Sequence, residues 1–444
     1  MRIVIVGAGA VGSYLAERLS AEGQDVVVIE DDEDRAADLQ DRIDALVITG
    51  NGASPTVLQE AGVDRADLLI AVSNSDGANV LACHVAADLG VKRTVARVED
   101  PDMREAVAGL EVDFVIDPGE AAAFELGALV KQSGVSELVE FGGGSLTLVG
   151  ATVPPSSPVA SKPLSQLRVS QSEFDWVVAA LVRHGETIVA HGDTTIEAGD
   201  HVLIMVNSED VDRATTLLGV RHHVIERVVI LGATRLAELT AAHLTREGYE
   251  VIVIDEDPAR CRRLAEHQGK TLVICDDPTD PETLRSLNLD DRDAVLGLTG
   301  WDEVNVLGCL LAKALGASST VARFNRIEYV SLLQGTGIEA AVSSRLIAAG
   351  AILRFVRRGR IHSVVTFKDT DAEAIELEVG KNSPAVGKTL VDLGMPRDAV
   401  IGGVLRDGKT FVPSGISTIE PGDRIILFSM PDSITTVEKL FAQA

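Results

Sequence analysis

An α/β chain built of two Rossmann-type parallel sheet domains, each followed by a small α+β domain, is what the sequence predicts, and three observations lead there. The segment Ala78–Val98 (ANVLACHVAADLGVKRTVARV) returns as Val304–Phe324 (VNVLGCLLAKALGASSTVARF), aligning Asn79 with Asn305, Leu81 with Leu307, Cys83 with Cys309, Gly90 with Gly316 and Arg97 with Arg323. Such dense agreement at one displacement, about 225 residues, marks an internal duplication. Both copies open with a short apolar run, a glycine and a helical pattern, Ile3–Val6 before Gly7 and Val228–Leu231 before Gly232. The run IEAGDHVLI at Ile196–Ile204 returns as IEPGDRIIL at Ile419–Leu427, a second repeated unit after each first one.

The elements follow in order. Behind the first strand and helix comes a strand at Val26–Ile29 closing on Glu30, with its counterpart at Val251–Ile254 closing on Asp255. Further strands are expected at Ala45–Ile48, Leu68–Val72 and Thr94–Arg97, and again at Thr271–Ile274, Ala294–Leu298 and Thr320–Arg323. Short apolar strands alternating with amphipathic helices signify a parallel, doubly wound sheet covered on both faces. Apolar helical stretches at Ala121–Val130 and Ser344–Val356 follow the two sheets. Alternating strands around charged turns at Gly185 and Gly408, then the repeated Gly-Asp turns, indicate a small all-β or mixed module in each half. Proline- and serine-rich stretches at Pro154–Pro158 and Ser383–Pro384 lie near the junctions. The expected domains are 1–133, 134–218, 219–360 and 361–444.

Composition bounds the function. At 444 residues and 46% hydrophobic content the chain supports several cores. No apolar run approaches the roughly 20 residues that span a bilayer, and the start Met1-Arg2-Ile3-Val4-Ile5 enters a strand directly, so neither a membrane span nor export is expected. A net charge of −27 repels nucleic acid and anionic lipid over most of the surface. Cys83, Cys261, Cys275 and Cys309 lack the spacing of a zinc or redox motif and read as reduced structural thiols.

Gly7-Ala8-Gly9-Ala10-Val11-Gly12 is a complete G-x-G-x-x-G directly after a strand. On that scaffold Gly7 makes the tight turn, Gly9 lets a phosphate approach the backbone, and Gly12 lets helix pack on strand. The amides of Ala8, Ala10 and Val11 are then expected to face an anion at the helix N-terminus. Glu30, at the end of the second strand, is placed to accept hydrogen bonds from an adenosine ribose. Its charge disfavours a 2′-phosphate, which favours NAD or an unphosphorylated adenosine ribose over NADP; Asp31 is adjacent. Ser73, Asn74 and Asp76 follow the strand at the carboxyl edge where ligands of this fold collect, with Ser73 and Asn74 read either as nucleotide contacts or as helix caps. Arg97 reads either as a phosphate contact or as half of an ion pair. Gly50, Asn51 and Gly52 are placed at the adenosine end.

The second copy replaces the fingerprint by Gly232-Ala233-Thr234-Arg235-Leu236-Ala237. The β-branched Thr234 stands where backbone should meet phosphate, Asp255 keeps the ribose-type carboxylate, and Asp276 and Asp277 add negative charge. Gly232, Ala233, Arg235 and Asp255 define a candidate second nucleotide site, with a structural copy of the fold as the favoured reading. No catalytic constellation or metal set is expected: the nine histidines pair with no nucleophile, and His222-His223 reads as a solvated connector.

With the fingerprint, the run Val72-Ser73-Asn74-Ser75-Asp76 with Asn79, the duplicated Asn-Val-Leu segment and the two Ile-Glu-x-Gly-Asp signatures, the chain resembles, end to end, the TrkA family of Trk-system potassium-uptake regulators, built of two RCK units. The resemblance implies a cytoplasmic regulatory subunit at the inner face of the membrane. It would bind NAD or NADH and/or ATP or ADP, control a membrane-embedded potassium-translocating subunit, and form a homodimer or larger homo-oligomer, with crossover helices at Ala121–Val130 and Ser344–Val356 serving intramolecular pairing, dimerisation or ring assembly. It carries phosphate binding to Gly7, Gly9 and Gly12, ribose binding to Glu30, and further contacts to Ser73, Asn74 and Arg97; Thr234 departs from the pattern. Other classes compatible with a dinucleotide fold are a nucleotide-binding scaffold for a different partner and an NAD-dependent oxidoreductase.

Overall fold

In the computed structural model, which describes the chain except residues 44, 108, 111, 171–172, 221–222, 327–337, 357–360, 367–371 and 442–444, two compact units are distinguished. One comprises Met1–Ala122 with Ser344–Val356, the other Ala123–Ser343 with Arg357–Ala444.

The first unit holds strands β1 (Arg2–Val6), β2 (Asp25–Glu30), β3 (Leu46–Thr49), β4 (Leu68–Ala71), β5 (Thr94–Arg97) and β6 (Phe114–Ile116). Its helices are α1 (Ala10–Ala21), α2 (Glu33–Gln40), α3 (Pro55–Glu60), α4 (Asp76–Asp88) and α5 (Pro101–Val107); α6 (Pro118–Lys131) begins in it. The strands form one parallel sheet in the order β3-β2-β1-β4-β5-β6. The five strands expected from sequence are present, and three-residue β6 extends the sheet. Alternate residues serve opposite faces. Ile3, Ile5, Val28 and Ile70 pack with Leu15 and Leu19 of α1, whereas Val4, Val27, Ile29 and Leu69 pack with Leu58, Cys83 and Ala86.

The first of those faces is completed from far along the chain by α13 (Ser344–Val356), the helix that follows the second sheet. Its Ala348, Ala349, Ile352, Leu353 and Phe355 lie in the same core as Ile3 and Leu15. The Phe355 ring stacks on Phe114 of β6 with centroids 5.0 Å apart. Arg93 lies 5.7 Å from the centroid of the Phe355 ring and donates to the carbonyls of Phe355 and Val356, satisfying acceptors that a helix end leaves open.

The second unit repeats the sheet with β14 (Arg227–Leu231), β15 (Glu250–Asp255), β16 (Leu272–Cys275), β17 (Asp293–Gly297), β18 (Ser319–Arg323) and β19 (Ala340–Val342), in the order β16-β15-β14-β17-β18-β19. Around it stand α9 (Arg235–Glu247), α10 (Pro258–His267), α11 (Pro281–Ser286) and α12 (Asp302–Ala314). The later part of α6 belongs here: Phe124 meets the His243 ring of α9 at 5.7 Å, and a Cβ on Gly127 would come within 2.5 Å of the same imidazole. The two sheets have thus exchanged their following helices within one chain.

The small domains are α+β. Strands β7 (Glu137–Phe141), β8 (Leu146–Thr152), β10 (Trp176–Arg183), β11 (Glu186–Val189) and β13 (His201–Asn207) make an antiparallel sheet with helices α7 (Leu164–Ser170) and α8 (Val211–Leu218). β9 (Lys162–Pro163) and β12 (Thr195–Ile196) pair beside it. The second copy has β20 (Ile361–Thr366), β21 (Glu373–Glu378), β22 (Ala399–Arg406), β23 (Lys409–Phe411), β24 (Arg424–Ser429) and α14 (Pro431–Phe441). They are joined by a common core in which Phe141, Leu146, Leu203 and Met205 pack with Ala374, Val412, Ile426 and Phe428. A cavity of about 510 Å³ lies between the copies, lined in part by Arg168, Trp176, His191, Pro396 and Arg397.

The repeated Gly-Asp turns have a structural explanation. Asp200 is buried and receives a two-pronged guanidinium from Arg183, at 2.8 and 2.7 Å, while its carboxylate also accepts the amide of Glu197. Asp423 repeats this with Arg406, both prongs at 2.7 Å, and with the amide of Glu420. Such paired forks satisfy a buried carboxylate that would otherwise be costly.

Candidate nucleotide site

In the 3-2-1-4-5-6 order, connections from β1 and β4 diverge to opposite sides, opening the crevice where ligands of this fold collect. Gly7–Gly12 leaves β1 at that point and Ser73 leaves β4. Gly7 has a φ of +99°, and a Cβ there would stand 2.9 Å from the Ser73 backbone. A Cβ on Gly12 would lie 1.8 Å from the Gly7 carbonyl oxygen. Neither position of this turn has room for a side chain, although the second copy carries Ala237 where Gly12 stands. Gly9 is different: its φ of −66° suits any residue, and a Cβ there would meet nothing within 4 Å. Open space thus lies directly before the N-terminus of α1, where the amides of Ala10 and Val11 have no acceptor among the described residues and the helix dipole favours an anion.

The Ala8 amide, expected to face phosphate as well, donates instead to Glu30 Oε2. The physical reason is burial: Glu30 is 4% exposed, and its other oxygen accepts from the Asp32 amide at 3.2 Å. A carboxylate so enclosed takes the nearest backbone donors. Each oxygen keeps a further lone pair for a hydroxyl. Asp31 is exposed. Asn51 accepts the Ala53 amide at 2.9 Å within its own turn, Gly50 donates to the Glu30 carbonyl at 2.8 Å, and a Cβ on Gly52 would strike Val6.

At the β4 edge the helix cap is Ser75, which accepts the Ala78 amide, and not Ser73 or Asn74. The Ser73 hydroxyl donates to Asn79 Oδ1 at 2.7 Å, and Asn74 is exposed. Asn79, wholly buried, also accepts the Ser73 amide and donates to the carbonyls of Ser73 and Arg97, both at 3.0 Å. It clasps the ends of β4 and β5. Asn305 does the same with Thr299 and Arg323. In the sequence this asparagine pair serves to align the repeats and to mark the family resemblance, with no structural role assigned to it. Asp76 accepts the amides of Glu99 and Asp100, and Arg97 is ion-paired with Glu99 through a 3.0 Å bond from Nε.

In the second copy Gly232 has a φ of +101° and backs onto Thr299, as Gly7 does onto Ser73. Thr234 occupies the position of Gly9; its hydroxyl donates to the Leu298 carbonyl at 2.8 Å and accepts the Ala237 amide at 3.3 Å. The side chain therefore caps α9 where a phosphate would sit. Asp255 accepts the amides of Ala233 and Asp257 at 2.6 and 2.9 Å, the counterpart of Glu30. Arg235 opens α9. Asp276 holds Thr283, and hydrogen bonds, foremost from that hydroxyl, keep its carboxyl below the usual carboxylate range. Of the connector histidines, His222 lies outside the described residues, and His223 exchanges backbone hydrogen bonds with the Ser133 hydroxyl.

The TrkA-N domain family matches residues 3–118 and 228–344, and the TrkA-C domain family matches 148–219 and 374–442. The Trk system potassium uptake protein TrkA of Halomonas elongata is 34% identical over 451 residues, covering 99% of this chain and 98% of that one. This chain belongs to the TrkA family. The TrkA protein of Azorhizobium caulinodans is 32% identical, again over 99% of this chain and 98% of its own, and the TrkA homolog of Archaeoglobus fulgidus 34%, over 99% and 100%. Among solved structures, the GsuK RCK domain superposes with a TM-score of 0.61 at 19% identity, covering 99% of this chain and 94% of that one. The GsuK channel bound to NAD gives 0.61 and 19%, over 99% and 78%. The TrkA-N matches contain both glycine turns, and the TrkA-C matches contain both Arg-Asp forks. No helix among the described residues of this TrkA-family chain is long and apolar enough to cross a membrane.

Proposed function

We propose that this TrkA-family chain is the regulatory subunit of a Trk-type potassium uptake system. In this reading it binds NAD(H) or ATP/ADP in the first TrkA-N domain and gates a membrane-embedded potassium-translocating partner from the cytoplasmic face, as a homodimer or larger homo-oligomer. The observation that carries the nucleotide reading is Gly9: a glycine needed by neither backbone angle nor packing, opening onto free space before unpaired helix amides. In the proposed assignment Gly7, Gly9, Gly12 and the amides of Ala10 and Val11 hold phosphate, Glu30 takes the ribose hydroxyls, and Asn51, Ser73, Asn74 and Arg97 border the ligand. Ala8 contributes by holding Glu30 in place. The domains proposed are those expected at 1–133, 134–218, 219–360 and 361–444.

The chain's part is binding rather than chemistry: a ligand that favours one arrangement of paired domains over another shifts the partner's gate by the difference in its two affinities. Thr234 weighs against a phosphate in the second domain, so the regulatory ligand is assigned to the first. The nucleotide site is tested by calorimetric titration of NAD, NADH, ATP and ADP. Gly9→Val is expected to abolish binding while circular dichroism and thermal melting stay close to wild type. Glu30→Ala is expected to weaken it by about 1.5 kcal/mol, roughly tenfold, through loss of a charged hydrogen bond. Undiminished affinity in Gly9→Val would remove the phosphate from this turn.

A further inference from the structure

The second copy of the sheet carries two thiols that the first lacks. Cys261 lies on α10 and Cys275 ends β16; the aligned positions of the first copy, on α2 and at the end of β3, are Ala36 and Thr49. Three contacts bring the sulfurs together. Cys261 Sγ is 3.1 Å from the Asp255 carbonyl oxygen and 3.9 Å from that of Ile274, the residue before Cys275. Cys275 Sγ is 4.0 Å from the carbonyl oxygen of Glu256, the residue after Asp255. Both sulfurs thus converge on the backbone of Asp255 and Glu256. Cys261 is buried and Cys275 exposed. An accessible thiol beside an enclosed one is the arrangement in which the first is oxidised and the second resolves it.

We infer that Cys261 and Cys275 form a reversible dithiol–disulfide pair, a redox modification site beside Asp255, with a peroxide as the oxidant. The Cys275 thiolate attacks one oxygen of hydrogen peroxide; the O–O bond breaks, hydroxide leaves, and the sulfur becomes a sulfenic acid. Cys261 then attacks that sulfur, the S–S bond forms, and the hydroxyl leaves as water with the Cys261 proton. Overall two thiols lose two electrons and two protons, and the peroxide becomes two waters. Burial, with the neighbouring Cys275 next, pushes the Cys261 thiol up to about 11, which leaves the first attack to Cys275. The other two cysteines are built-in spectators: Cys83 and Cys309 are wholly buried, and burial pushes each up to about 12.

The full-length protein is treated with hydrogen peroxide, quenched with catalase, unfolded and alkylated with iodoacetamide, and its peptides are mapped without reduction. Wild type should lose two of its four free thiols, yield a Cys261–Cys275 cross-linked peptide within one chain, and regain both thiols on reduction with dithiothreitol. In Cys261→Ser, dimedone should trap a sulfenic acid at Cys275; in Cys275→Ser, Cys261 should remain alkylated in full. A fully alkylated Cys261 in peroxide-treated wild type, whether Cys275 is untouched, over-oxidised or joined to a second chain, would overturn the pairing. None of these readouts depends on nucleotide binding.

Discussion

Gly9 and Gly12 stand in one turn but answer to different forces. A Cβ at position 12 meets the Gly7 carbonyl oxygen at 1.8 Å, a backbone atom that can retreat only by moving the turn, whereas one at position 9 meets nothing. Gly12→Ala should therefore destabilise the first unit by about 3 kcal/mol, at the upper end of overpacking. Gly9→Ala should leave stability within about 1 kcal/mol of wild type. Urea unfolding of both variants decides it, and equal midpoints would refute the distinction. The Arg-Asp forks offer a second test. Replacing Asp423 by Ala leaves the Arg406 guanidinium without its main partner in a site where Asp423 is 1% exposed. The expected loss is about 3 kcal/mol. Glu420, half-exposed on the rim of the same arginine, should cost under about 1 kcal/mol when removed. A reversed order would mean that the repeated signature is kept for something other than this fork.

At the scale of elements, helix exchange has a measurable energetic consequence. α13 follows the second sheet in sequence but seals the first, with Phe355 4% exposed and stacked on Phe114. Phe355→Ala should cost about 3 kcal/mol, and hydrogen exchange should quicken in α1 and β6 while β14 and β15 keep their protection. Faster exchange confined to the second sheet would contradict the placement. The sequence allowed the apolar character of this helix and its bounds to be read, because periodicity is a local signal. It did not reveal which sheet α13 covers, since that depends on packing between segments hundreds of residues apart. β6 and β19 escaped for another reason: three-residue strands carry too few alternations to register as a period. The glycine turn and Glu30 were legible because the fold fixes their spacing. The Asn79 clasp was not, because its acceptors are backbone carbonyls, which any residue supplies, and the Arg97–Glu99 pair was left open because both its readings need the same cation.

For the whole molecule, duplication has produced two sheets of one design with unequal N-terminal turns, one open at Gly9 and one capped by Thr234. Calorimetry should accordingly return about one nucleotide per chain, lost in Gly9→Val and retained in Thr234→Ala; two equivalent sites would contradict the asymmetry. A chain with a net charge of −27 and no helix, among the described residues, fit to span a bilayer is proposed to act on transport through a partner, and differential affinity for two assembly states is what allows it to do so. The most direct measurement is potassium flux through the purified translocating partner in liposomes, with this chain added and NAD, NADH, ATP and ADP supplied one at a time. The expected result is a complex whose flux changes with at least one nucleotide, and a Gly9→Val complex that still assembles but no longer responds; absence of a complex, or flux indifferent to every nucleotide, would contradict regulation by this chain.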